Sequence, residues 1–341
     1  MKTSGLCLAS CAFLLTAASA LCAAQTYTMK DLGTISGMNY SVGRGVNATG
    51  QTTGSSGTID TTTAHVFVNK AGKFTDLGTL GGKTGIGNSI NASGQVAGYS
   101  TSAAGTYRAF ISKGKSLLDI GDLGGGSAVA YGINDQGDVV GSAVTSDGSN
   151  HPFFYSAGHM TDLGTLGSPA GNDWWNVAQA VNNSGVVAGT SYDSQGNFFG
   201  FVWNNGKMTK IGTLGGSWSQ AYAINNGGQV TGIAYLKNGN AHAFLMTGAK
   251  LKDLGVVGGT NGTTWGFGIN DSGVVVGQST YQSTYHAFVY TNGKIKDLNN
   301  LVPKGSGWVL IEATSVNDAG QIVCTGMRSD GTQHAFLLTP Q

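Results

Sequence analysis

Apolar and polar positions recur along this chain in one register, from about residue 25 to the end. The stretch from Asp253 to Lys296, DLGVVGGTNGTTWGFGINDSGVVVGQSTYQSTYHAFVYTNGKIK, shows the unit most clearly. Ahead of an asparagine stands a β-branched residue: Val46, Ile90, Ile133, Val181, Ile224, Ile269 and Val316. Two residues ahead are Gly45, Ser89, Gly132, Ala180, Ala223, Gly268 and Ser315. Four ahead are Gly43, Gly87, Ala130, Ala178, Ala221, Gly266 and Ala313. Strand side chains alternate with period two. The pattern therefore predicts a strand with one face of Gly, Ala and Ser only, as a strand packed closely on a neighbouring sheet requires.

The asparagine itself opens an Asn-x-x-Gly tetrad, from Asn47/Gly50 through Asn91, Asn134, Asn182, Asn225 and Asn270 to Asn317/Gly320. Asn first and Gly fourth is the signature of a type I turn, which closes a hairpin with a bulge. Two further anchors follow the same period: Phe67, Phe110, Phe153, Phe201, Phe244, Phe288 and Phe336, and Leu32, Leu77, Ile120, Leu163, Ile211, Leu254 and Leu298. Each unit reads as four short strands. The first ends at the Asn, the second follows the Gly, the third holds the Phe, and the fourth runs through Asp-Leu-Gly. Asn-Gly pairs such as Asn205-Gly206 and Asn292-Gly293 mark the third hairpin.

Four antiparallel strands in roughly 40–45 residues is the size of a propeller blade. The units begin near Asp31, Asp76, Asp119, Asp162, Lys210, Asp253 and Asp297. Their phase is offset: a lone fourth strand, 26–33, opens the chain, and a third strand, 334–339, ends it. Together these complete a seventh sheet and remove the exposed edges of an open stack. The expected fold is all-β, a seven-bladed β-propeller over residues 25–341 with an N-terminal strand pairing in the last blade. A transmembrane barrel fits less well, because the strands are short and the small-residue face makes no lipid-facing band. A β-solenoid would leave the split unit unexplained.

Residues 1–24, MKTSGLCLASCAFLLTAASALCAA, read as a secretory signal peptide, cut after Ala24 or alternatively after Ala20. Its removal takes Lys2, so 18 basic residues become 17 against 17 acidic. A neutral chain argues against nucleic acid as a partner. Cys7, Cys11 and Cys22 leave with the leader, and Cys324 remains with no partner for an intramolecular disulfide. It stands where other copies have Gly98, Gly141 and Gly232, and is expected to be a small buried residue. No other run is long enough to span a membrane as a helix.

His-Ala-Phe at 242–244, 286–288 and 334–336, Asp-Leu-Gly-Thr-Leu-Gly at 76–81 and 162–167, and Ile-Asn-Asp-Ser-Gly at 269–273 together resemble the HAF family of extracellular repeats. The resemblance covers residues 25–341. It implies a secreted or periplasmic bacterial protein, and it brings no catalytic residues. Copies depart from the phrase at Arg108, His151-Pro152 and Phe199-Gly200, so the histidine is not strictly required.

Candidate chemistry is sparse. His65, His151, His242, His286 and His334 share one repeat position, but the third strand lies about 10 Å from the innermost one, too far for neighbouring copies to share a metal. A structural hydrogen bond in each copy is expected instead. Asp31, Asp76, Asp119, Asp162, Asp253 and Asp297 should likewise accept backbone N–H groups; calcium is the alternative, but no Asp-x-Asp-x-Asp loop occurs. Glu312 is the sole glutamate, and no Gly-x-Ser-x-Gly elbow or phosphate loop occurs. The expectation is therefore a monomer with no catalytic residues, metal or cofactor. Trp174, Trp175, Trp218, Trp265 and Trp308 lie between a fourth strand and the next first strand, on the face that also carries the variable second-to-third loops. They are the candidate ligand-binding residues, for carbohydrate, another cell-surface polymer or a protein. The alternative is that each fills the gap between adjacent blades.

Overall fold

The structure, a computed structural model, describes residues 25–168, 175–259 and 261–341. The predicted leader and Trp174 lie outside the described residues. Everything regular among those residues is β-strand, apart from one 3-10 turn at Leu298–Asn300. The strands form antiparallel four-stranded sheets in chain order. Residues 40–78 and 81–119 make two such sets, joined by a single parallel bridge between Ala64 and Thr84. The opening strand, Tyr27–Gly33, pairs instead with the last, Gln333–Pro340, from Tyr27 opposite Pro340 to Gly33 opposite Ala335.

The first strands of the sets are Tyr40–Val46, Gly81–Ile90, Gly124–Ile133, Val177–Val181, Gly215–Ile224, Thr264–Ile269 and Val309–Val316. Each lies against the next, and Val309–Val316 lies against Tyr40–Val46. The sheets thus radiate from a common axis, in a propeller-like arrangement. The seven phenylalanines of the third strands are fully buried between neighbouring sheets. Room for their rings comes from glycine in the facing strand. A Cβ on Gly141 would stand 2.0 Å from the Val129 carbonyl and 2.7 Å from the Phe153 ring.

The Asn-x-x-Gly hairpins form as the sequence predicts. At Asn270 the carbonyl accepts from Gly273 N at 3.0 Å, and the Asn270 N–H donates to the Val274 carbonyl at 3.1 Å. Gly273 takes φ +76°, the left-handed turn position that costs glycine least.

Two expectations are corrected. Every first strand carries a bulge three residues before its asparagine, so strict alternation fails there. The two small positions consequently face opposite ways rather than sharing a face. A Cβ on Gly43 would meet Val323 of the preceding sheet, whereas one on Gly45 would meet Ile90 of the following sheet. Gly266 and Gly268 repeat this, against Thr231 and Ser315. Small residues are needed on both sides because seven strands crowd one axis.

The fourth strand runs through Asp-Leu-Gly as predicted in Tyr27–Gly33 and Lys73–Gly78, but elsewhere it ends earlier, at Asp119, Asp162, Asp253 and Asp297. The aspartate turns the chain out of the strand by accepting the N–H two residues on, as Asp253 does from Gly255 at 2.7 Å.

Candidate binding site

At the end of each first strand, the asparagine joins its sheet to the next one. Its Oδ1 accepts backbone N–H groups of its own turn, and its Nδ2 donates across to the next asparagine's carbonyl. Asn47 bonds to Asn91 at 3.0 Å, Asn91 to Asn134 at 3.1 Å, and Asn134 to Asn182 at 3.1 Å. Asn182 bonds to Asn225 at 3.2 Å, Asn225 to Asn270 at 2.9 Å, and Asn270 to Asn317 at 3.1 Å. Asn317 donates to the Asn47 carbonyl at 2.9 Å, and the series returns to its start. These asparagines are buried, which is why a side chain with both donor and acceptor is required there.

One residue further along the axis, the seven β-branched side chains from Val46 to Val316 form a collar. Beyond it the bulge takes effect. A bulge re-aims the side chain of its extra residue, and here the seven extra residues line the axial cavity: Arg44, Asn88, Tyr131, Gln179, Tyr222, Phe267 and Thr314. With Ile86, Tyr99 and Glu312 they surround about 340 Å³, a volume suited to a small ligand. This funnel opens toward the starts of the first strands.

The funnel has two unlike walls. On one side, Arg44 and Glu312 belong to adjacent strands, with the guanidinium Nη1 3.9 Å from the carboxylate. Arg44 makes no hydrogen bond among the described residues, and its Nε is buried without a partner. On the other side stand Tyr131, Gln179 and Tyr222, with Tyr222 edge-on to Phe267 at 5.4 Å between ring centres. Burial pushes the Tyr131 hydroxyl up to about 12 and raises those of Tyr222 and Tyr99, so all three are neutral donors at neutral pH. Burial likewise raises the Glu312 carboxyl above its ordinary value, and the nearby Arg44 only partly opposes this.

Reading the sequence at period two passed over these residues, because the bulge places an extra residue where alternation has none. A signal was available. Between two positions that hold only Gly, Ala or Ser, this one holds Arg, Asn, Tyr, Gln, Tyr, Phe and Thr.

The described tryptophans, Trp175, Trp218, Trp265 and Trp308, lie on the face onto which the funnel opens, near the starts of the first strands, but in different settings. Trp175 is exposed. Trp218 is packed between Phe198 and Tyr235, at 4.7 and 4.3 Å between ring centres. Trp265 meets Tyr285 edge-on at 6.0 Å. Trp308 packs on His334 and Phe336, with the Arg328 guanidinium 4.4 Å from its ring. The structure does not gather them into one cluster.

The histidines and aspartates of the repeat meet in pairs within each sheet. His65 Nδ1 donates to Asp76 at 2.9 Å, His151 to Asp162 at 2.8 Å and His242 to Asp253 at 2.8 Å. His286 donates to Asp297 at 2.7 Å, and His334 reaches Asp31 of the opening strand at 2.9 Å. Where histidine is missing, one copy keeps the aspartate and another changes both residues. Arg108 bonds to Asp119 at 2.7 Å, and Phe199 lies under the Lys210 ammonium at 3.2 Å from its ring centre.

No family model matches the chain, and no curated protein matches it in sequence. Solved structures do match in shape. The β-propeller domain of the Trilobed protease from Pyrococcus furiosus has a TM-score of 0.60 at 11% identity, over 89% of this chain and 97% of that one. The acylaminoacyl peptidase of Pyrococcus horikoshii gives 0.56 at 10% identity, over 90% of this chain and 52% of that one. A puromycin-hydrolyzing peptidase of Mycobacterium tuberculosis gives 0.58 at 12%, over 90% and 53%. This chain spans about half the length of those two peptidases. At such identities the likeness concerns the β-propeller fold alone.

Proposed function

We propose that this chain is a closed seven-bladed β-propeller that acts outside the cytoplasm as a non-catalytic binding protein, with its ligand in the axial funnel. One observation carries the reading. The turn and packing positions of the scaffold repeat in kind, while the seven bulged positions that line the cavity hold six residue types. Structural positions in a repeat converge because each unit has the same packing to satisfy. Positions that diverge and share a cavity are free to match a ligand of lower symmetry.

The lining suits a saccharide. Phe267 and the tyrosines offer aromatic surface, and Asn88, Gln179 and the Tyr99 hydroxyl offer donors and acceptors, whereas the Tyr222 hydroxyl donates to Gln220. The exposed Trp175 and the other tryptophans on that face could extend contact along a polymer. Catalysis has no part in the reading: the funnel lining supplies one carboxylate, whereas glycoside hydrolysis commonly uses two. The leader-like residues 1–24 support export.

A second reading has its own support. Tyr107, Trp175 and Tyr285 are exposed aromatic residues, as at the contact surfaces of protein partners. The test is a titration of the purified protein with a panel of polysaccharide fragments, followed by tryptophan fluorescence. A saturable change that a Tyr131→Ala/Phe267→Ala variant loses supports the funnel. No response to any fragment would oppose it and favour a protein partner.

A further inference from the structure

The two charged groups in the funnel bear on the class of saccharide, and the argument rests on the funnel being a saccharide site. The chain has three arginines. Arg108 is committed to structure: its guanidinium bonds to Asp119, to Asp122 at 2.8 Å and to the Gly126 carbonyl at 3.0 Å. Arg328 lies over the Trp308 ring. Arg44 alone lines the axial cavity, on the bulge, with no hydrogen bond and a carboxylate no closer than 3.9 Å. A guanidinium offers five donors in a planar fork matched to a carboxylate or phosphate. Held at a cavity wall with that fork unspent, it is a group set to receive an anion.

Glu312 shapes what can dock there. It sits beside Arg44 without closing a two-bonded pair, so the arginine's donors stay available. Every other titratable group lining the funnel is a tyrosine: Tyr99, Tyr131 and Tyr222. We infer that the funnel takes an acidic sugar, a hexuronate unit of a polymer, whose carboxylate docks on Arg44 while the ring lies against the wall of Tyr131, Tyr222 and Phe267. Arg44 faces the cavity from the first set, and Tyr131, Tyr222 and Phe267 face it from the third, fifth and sixth, so the guanidinium and the aromatic rings line one space from different sheets.

The experiment is a calorimetric titration of the purified protein with two oligosaccharides of equal length, one of hexuronate units and one of neutral hexose units. Wild-type protein binds the hexuronate at least about tenfold more tightly. Arg44→Gln removes that preference, while Arg44→Lys retains part of it because it keeps the charge but not the fork. Glu312→Gln tightens hexuronate binding and leaves the neutral sugar unaffected, since it removes a like charge beside the docking carboxylate.

Equal binding of both oligosaccharides, unchanged in Arg44→Gln yet lost in Tyr131→Ala/Phe267→Ala, would overturn the acidic-sugar inference and leave the funnel in place. Binding of neither would overturn both. Circular dichroism of each variant distinguishes lost binding from lost fold.

Discussion

Single residues hold this molecule together by pairing within and between sheets, and the asparagines show what one pairing is worth. Asn270 satisfies the turn N–H groups of Ser272 and Val274 and ties its sheet to Asn317, all while buried. Replacing it with alanine leaves those groups unpaired, so Asn270→Ala should lose about 2–3 kcal/mol in urea unfolding. A loss within error of zero would mean that the ring of asparagines is incidental. Glu312 makes a different prediction. Its carboxyl is raised above the ordinary value of 4.5, so the folded protein holds that proton to higher pH than the unfolded chain does. The stability this gives is complete below 4.5 and is lost as pH rises through the folded value. Relative to Glu312→Gln, wild-type protein should therefore become less stable between acid and neutral pH. A flat or rising difference would place the carboxylate in a better-solvated setting. A structural hydrogen bond for each repeat histidine was legible in the sequence from the shared position, but the aspartate as its partner was not, because the two stand on different strands. The Lys210–Phe199 contact was not, because it replaces both partners of a pair at once.

Among the elements, the opening strand carries most consequence for its length. Tyr27–Gly33 buries Tyr27 and Leu32 and brings Asp31 to His334, 303 residues away. Burial of two such side chains is worth roughly 3–6 kcal/mol, and the strand also covers the edge of Gln333–Pro340. Deleting residues 25–33 should lower the melting temperature sharply and broaden the transition; an unchanged melting curve would sink the idea that this strand closes the ring. The four-strand unit and its offset phase could be read from the sequence because turn residues and buried phenylalanines recur at fixed spacing. The bulge could not, since a strand with an extra residue has the same composition as one without. That single residue per strand sends the small positions to opposite neighbours and the variable position into the cavity.

At the scale of the whole molecule, the repeated four-stranded sets make a propeller-like frame whose axis is the place where their first strands meet. Identity among the units serves packing, and difference among them is concentrated where seven strands face a common space. The sequence displayed tryptophans as candidate residues because they are conspicuous and read as lying between strands, although Trp218 and Trp265 stand within first strands. The funnel residues stood out less, because their position holds six residue types and its mark in the sequence is that variability rather than a recurring residue. The most direct test sets these two regions against each other, measuring melting temperature and saccharide affinity for the funnel variant Tyr131→Ala/Phe267→Ala and the face variant Trp174→Ala/Trp175→Ala in parallel. The funnel variant should melt close to wild type and lose at least about tenfold in affinity, while the face variant keeps most of its binding. Loss confined to the face variant would contradict the assignment of function to the axis.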